Sequence, residues 1–199
     1  MSAYTLAEVL VTLGIIGIVA SLTIPQIVQN YKEKVYKNEY KKAFSDLSQV
    51  FTTAINNSEL LTRTTDYDKN ATTSEWESIK KYIKYAKECS PKDLYSCWAD
   101  GDKFGNMPNN NSGAYSIIDI RGRSWTVYYP YQNIYLVDTN GLKGPNQFGK
   151  DRFPLALGDK NGNRIQQGDA VKVIPLRDEP NKNSWCTNPP CYYKSWLIE

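Results

Sequence analysis

One carboxylate, Glu8, stands inside an otherwise apolar run that begins at Tyr4 and stops at Pro25. An ionisable group at the centre of a membrane-spanning helix costs roughly 2.5–3.5 kcal/mol on insertion scales, so its presence asks for a compensating partner. Residues 9–24 alone make about 24 Å of helix at ~1.5 Å per residue, whereas residues 4–24 make about 31 Å. Only the longer stretch matches a hydrocarbon layer of roughly 30 Å. A full span therefore draws Glu8 into or close to the apolar layer, where a positive charge would hold it.

A second set of chemically capable residues lies far along the chain. Asp138, Asn140 and Asp151 offer hard oxygen ligands, and the glycines between them let backbone carbonyls turn inward, as calcium requires. The stretch lacks the full D-x-[DN]-x-[DN]-G pattern. Asn140-Gly141 and Asn161-Gly162 also read as turns needing positive φ, and the turn reading is favoured over calcium. Asp159 to Asn163 is a shorter version of the same pattern, with Lys160 inside it and Arg164 after it. No cofactor is required by anything else in the chain.

The four cysteines, Cys89, Cys97, Cys186 and Cys191, all follow the apolar run. An even count in an exported domain suggests disulfides. Of three connectivities, the local pairs Cys89–Cys97 and Cys186–Cys191 are favoured; cross-pairing would close longer loops. With these spacings and no histidine, zinc is a poor occupant. The absence of histidine also removes the commonest general base and the Ser-His and Cys-His nucleophile pairs. No enzyme is expected. A formal net charge of +3, from 24 basic and 21 acidic residues, is too balanced for a nucleic-acid binder.

Two simple readings of the apolar run compete with a functional one. A secretory leader would place Lys or Arg first and end in a small-x-small cleavage site. Here the first basic residue is Lys32, after the run. A plain membrane anchor would leave Glu8 in the headgroup zone. A third reading comes from resemblance. Tyr4-Thr5-Leu6-Ala7-Glu8, followed by Val9-Leu10-Val11-Thr12-Leu13-Gly14-Ile15-Ile16-Gly17, resembles the prepilin-type cleavage and methylation motif of type IV pilins and type II secretion pseudopilins. The resemblance covers about the first eighth of the chain. It implies cleavage between Ala3 and Tyr4 by a prepilin peptidase and methylation of the new amine of Tyr4. Ala3 stands where the family usually has Gly, after a leader of only three neutral residues.

The resemblance further implies that Glu8 and Pro25 serve assembly, Glu8 by pairing with the amine of an incoming subunit. A misaligned subunit would leave that charge unpaired in a low dielectric. Without the cut, no partner for Glu8 is evident. The implied partners are other pilin-like subunits, the peptidase, an inner-membrane assembly platform and membrane lipid. The implied location is the bacterial inner membrane as a single pass, with the head in the periplasm and later in a filament at the cell surface. The lysines from Lys32 to Lys42 oppose this, since positive residues beside a span usually mark the cytoplasmic side.

The elements that must position these residues follow from periodicity. Beyond Pro25, where proline should kink or locally melt the helix, Tyr36, Tyr40, Ala43, Phe44, Leu47, Val50, Phe51, Ala54 and Ile55 recur at three- and four-residue steps. One long helix over residues 4–55 results, apolar all round in its first half and one-faced in its second. A capping box at Ser74 predicts a helix through Lys87 with Trp76, Ile79, Tyr82, Ile83 and Ala86 inward. Residues 101–113 read as loop, and 114–120, 124–129, 134–137, 170–174 and 192–198 as strands.

The expected class is α+β: a long N-terminal helix, membrane-spanning then amphipathic, packed on a small antiparallel sheet. The divisions are 1–3 leader, 4–25 assembly helix, 26–55 amphipathic continuation and 56–199 extracytoplasmic head. A membrane-anchored binding module that does not polymerise is the alternative. Trp98, Trp125, Trp185 and Trp196 could stack on sugars in such a module, though Trp125 on its strand reads as core.

Overall fold

The computed structural model describes residues 5–57, 76–103, 115–127, 134–158, 172–175 and 193–198. Helix α1 runs Leu6–Asn56, and six strands follow: β1 Tyr85–Cys89, β2 Ser116–Asp119, β3 Ser124–Val127, β4 Ile134–Asp138, β5 Arg152–Gly158 and β6 Lys172–Pro175. A 3-10 helix spans Pro91–Ser96, and a final helix, α2, spans Tyr193–Ile198. The strands form one sheet in sequence order, each antiparallel to the next. This is the expected α+β class. The chain forms two compact units, Met1–Tyr36 and Lys37–Glu199.

The second unit is held by the stripe on α1. Tyr40, Ala43, Leu47, Phe51 and Ala54 are its buried members, at steps of three and four that place them on one face. Tyr40 meets Phe153 of β5 with ring centroids 4.5 Å apart, and Phe51 meets Tyr135 of β4 edge-on at 5.2 Å. Trp196 of α2 closes on Tyr40 and Phe153 at 6.3 and 6.0 Å. Such tilted and edge-on pairs add to plain area burial. The helix is therefore the second layer that the sheet needs to form a core.

Four expectations are corrected. Residues 76–80 are helical, but the chain then turns and Tyr85–Cys89 is strand β1. Pairing with β2 wins over the apolar spacing of Tyr82, Ile83 and Ala86, and Tyr85 to Glu88 are exposed on this edge strand. Strand β5 was not expected, because Pro154 argues against an interior strand. Pro154 opposes Leu136 of β4, while the β5–β6 ladder runs from Leu155 to Gly158, beyond the proline. The segment 193–198 is a helix, not a strand. Of the kink or local melting expected at Pro25, the melting does not occur: helix α1 continues through it.

A disulfide joins Cys89 at the end of β1 to Cys97 after the 3-10 helix, as the local pairing expected. Cys186 and Cys191 lie outside the described residues. Trp76, Trp98, Trp125 and Trp196 are all buried, so none of them offers an exposed stacking face for a sugar.

Phe153 is fully buried between Tyr40 and Trp196. Phe153→Ala should cost about 3–5 kcal/mol of stability, the usual range for emptying an aromatic site in a core. Denaturant unfolding of the full chain in detergent, followed by aromatic circular dichroism, measures it. A loss below about 1 kcal/mol would mean that the α1 stripe does not hold the sheet.

Candidate functional site

In the first unit, every residue from Thr5 to Val35 except Ala20 is exposed. Helix α1 is long and apolar enough to cross a membrane, with a mean hydropathy of 2.2 in its most apolar stretch and none of that stretch buried. Apolar side chains such as Leu6, Leu22 and Ile27 project outward without protein neighbours to cover them. A large continuous apolar surface of this kind marks a membrane or protein contact.

Its polar side chains bond locally. Thr5 precedes the first helical residue, and Glu8 is the third. The Glu8 Oε2 atom accepts the Thr5 backbone N–H at 2.8 Å and the Thr5 hydroxyl at 2.8 Å. In return the Glu8 N–H donates to Thr5 Oγ1 at 3.3 Å. This is a reciprocal capping box, which satisfies donors that a helix start leaves free and sets a negative charge at the positive end of the helix dipole. The hydroxyls of Thr12, Ser21 and Thr23 donate to the carbonyls of Val9, Ile18 and Val19 at 2.9, 2.8 and 2.9 Å. The hydroxyls between Thr5 and Ile24 thus all bond within the chain, as a hydrocarbon layer requires, and Glu8 does so through one of its two carboxylate oxygens.

Without cleavage Glu8 has a hydrogen-bond partner in Thr5, which is neutral and does not balance its charge. The signal was present as Thr5-x-x-Glu8, the capping-box pattern. Ala3 and Tyr4, the expected cleavage residues, lie outside the described residues. Pro25 removes one intrahelical donor, the N–H that would meet the Ser21 carbonyl.

The second candidate site is the loop from β4 to β5. It brings Asp138, Asn140 and Asp151 together, as the calcium reading required, but fills them with the chain's own donors. Asp151 Oδ1 accepts the Gln147 N–H at 2.7 Å, and Oδ2 accepts the Asn146 N–H at 2.8 Å and Asn140 Nδ2 at 3.0 Å. Asp138 Oδ1 accepts the Asn140 N–H at 3.3 Å, and Oδ2 takes Arg152 Nε at 2.8 Å. A guanidinium thus stands against a carboxylate the cation would need. Among the described residues, no group of three or more His, Cys, Asp or Glu side chains is arranged to hold a metal. This donor set fits a loop closed on itself better than a calcium site.

The turn reading is realised at Gly141. Its φ is +72°, and a Cβ there would lie 2.1 Å from the Gly122 carbonyl oxygen, so only glycine fits. Arg152, which the sequence did not single out, is the hub. It is buried, stacks over Trp98 at 4.7 Å, donates to the Asp102 carbonyl at 2.8 Å, and also donates to the Ala99 carbonyl. The segment 99–103 and the β4–β5 loop are thereby stitched into one body, reinforced by Asp102 N–H to the Asn146 carbonyl at 2.9 Å.

Compared with protein-family models, with curated proteins and with solved structures, the chain has no match.

Burial, together with the nearby charge of Asp151, pushes Asp138 up to about 7, and burial also raises Asp151. Arg152 bonds Asp138 alone, and Asp151 is held by amide donors, so burial and the neighbouring Asp151 charge favour a proton on Asp138. A carboxylate raised in the folded state binds protons there that the unfolded chain has released, so its contribution falls as pH rises. The melting advantage of the wild type over Asp138→Asn should be largest near the ordinary carboxylate pKa of 3.8 and shrink as pH rises through about 7. Paired thermal melts across this range read it directly. A constant or growing advantage would contradict the shift.

Proposed function

We propose that this chain is a structural subunit, pilin or pseudopilin, of a type IV pilus-like or type II secretion filament, assembled by packing of its N-terminal helix. The observation that carries the reading is the exposed apolar helix with a single carboxylate near its start, closed in a capping box with Thr5. Before assembly, lipid covers the apolar side chains. In a filament, the helices of neighbouring copies replace lipid. Both surroundings are apolar, so that exchange has little hydrophobic driving force, and close packing and polar pairing decide how subunits dock.

Glu8 is the polar group placed to decide register. Cleavage before Tyr4 creates an amine beside the capping box, and an incoming subunit presents the same amine to a Glu8 already in place. A subunit shifted along the axis leaves both charges unpaired in a low dielectric, which is strongly unfavourable. Thr5 holds the carboxylate at the helix start while it waits. The head then forms the outer surface, and the polymer partners are further copies or related pilin-like chains.

The capping box also favours a second reading, a static membrane anchor, because Thr5 satisfies Glu8 with no cleavage at all. Glu8→Gln separates the two. Glutamine keeps the capping hydrogen bonds but carries no charge. If register depends on the charge, the variant should insert into membranes at wild-type levels while its yield in sheared filaments falls by roughly tenfold or more, the effect of about 1.4 kcal/mol. Normal filament yield from Glu8→Gln would reduce Glu8 to a helix cap.

A further inference from the structure

Three cations and two carboxylates meet at a groove of about 380 Å³ between α1 and the turns flanking β1 and β2. The carboxylates are committed. Asp119 Oδ1 accepts the backbone N–H groups of Arg121 and Arg123 at 2.9 and 3.0 Å. Its Oδ2 accepts Arg123 Nε at 2.7 Å and Trp125 Nε1 at 3.0 Å. Asp46 on α1 gives a single oxygen, Oδ2, to two guanidinium groups: Arg123 Nη2 at 2.7 Å and Arg121 Nη1.

The cations are not all served. Arg123, whose side chain is 6% exposed, has its Nη1 buried with no hydrogen-bond partner among the described residues. Lys84, on the groove wall, is exposed and its ammonium has no ion-pair or hydrogen-bond partner among the described residues. Arg121 reaches Asp46 with 56% of its side chain still exposed. A buried donor of a charged group without an acceptor is unfavourable, and a planar carboxylate is the acceptor that matches a guanidinium.

The remaining lining is mixed: Val50, Ile83 and Ile120 give it an apolar part, Ile120 strongly exposed at the rim, beside the polar Gln49, Thr53 and Tyr82. A multiply charged anion would meet Asp46 and Asp119 beside the cations, whereas one negative charge balances the three cations against the two carboxylates. We propose that this groove receives an acidic side chain of a partner polypeptide, its carboxylate on Arg123, Arg121 and Lys84 and an apolar neighbour against Val50, Ile83 and Ile120. The site lies wholly within the second unit and does not depend on filament formation.

The test follows the indole N–H resonances of the full chain in detergent while N-acetyl-glutamyl-leucinamide is added. Trp125, whose indole bonds Asp119 at the groove, reports the site; the buried Trp76, Trp98 and Trp196 do not line it and serve as internal controls. Saturable movement of the Trp125 signal is expected at millimolar peptide. The glutaminyl counterpart should bind roughly tenfold more weakly or worse. Lys84→Glu should weaken the glutamyl peptide by a similar factor with little change in melting temperature, because the fold uses the Lys84 carbonyl, which accepts the Ile120 N–H at 3.1 Å and is kept in the variant, and no ion pair or hydrogen bond of its side chain among the described residues. No saturable movement would mean that water fills the groove, and the proposal fails. Equal binding of the two peptides, binding unaffected by Lys84→Glu, or binding of inorganic phosphate in preference to the peptide would also overturn it.

Discussion

A helix in hydrocarbon has no water to satisfy its polar groups, and the first unit of this chain, long and apolar enough to cross a membrane, is built in keeping with that constraint. Each polar side chain from Thr5 to Ile24 has been given a partner within the helix, three of them hydroxyls bonded back to carbonyls one turn earlier. Thr5 and Glu8 solve the harder case, since a free carboxylate and free helix-start N–H groups each cost several kcal/mol in such surroundings. Combined, they answer each other. What remains on the outside is apolar surface and one net charge, the two properties on which the proposed docking of copies rests.

The head obeys the opposite condition, because it must build a core from one sheet and one helical face. The α1 stripe supplies the apolar layer, but two arginines do as much to fix the loops. Arg152 ties the β4–β5 loop to residues 99–103, and Arg123 links Asp119 of the sheet to Asp46 of the helix. Buried ion pairs of this kind contribute less to net stability than their geometry suggests, since desolvation offsets the attraction. Removing one partner is a different matter, because it strands the other charge in a low dielectric.

Much of this was legible in the residues, and the failures have physical causes. Tyr40, Ala43, Leu47, Phe51 and Ala54 announce a helix face because one side only is buried, and strands β2 to β4 were readable from β-branched and aromatic runs. Strand β5 was hidden by Pro154 and by burial along its whole length, which erases the alternation that marks a half-buried strand. Strand β1 was hidden because it is a sheet edge: its exposed residues lack a strand alternation, Tyr82, Ile83 and Ala86 carry a helical spacing instead, and only pairing with β2 makes it a strand. At the candidate sites, the carboxylates were found by type and spacing. Their neighbours Arg152 and Thr5 were missed, the first because charge composition does not say which arginine is buried. Thr5-x-x-Glu8 was readable in principle, yet Glu8 drew attention as a charge rather than as a cap.

The account turns on whether Tyr4 carries a free, methylated amine next to that cap. Intact-mass and N-terminal peptide spectrometry of the full-length product, extracted from the membranes of cells that also make a prepilin peptidase, reads this in one experiment. A filament subunit should be recovered as a chain that begins at N-methyl-Tyr4, with Met1, Ser2 and Ala3 removed. Recovery of the membrane-embedded chain with Ala3 still joined to Tyr4 would contradict it, and would leave Glu8 as the cap of a static anchor.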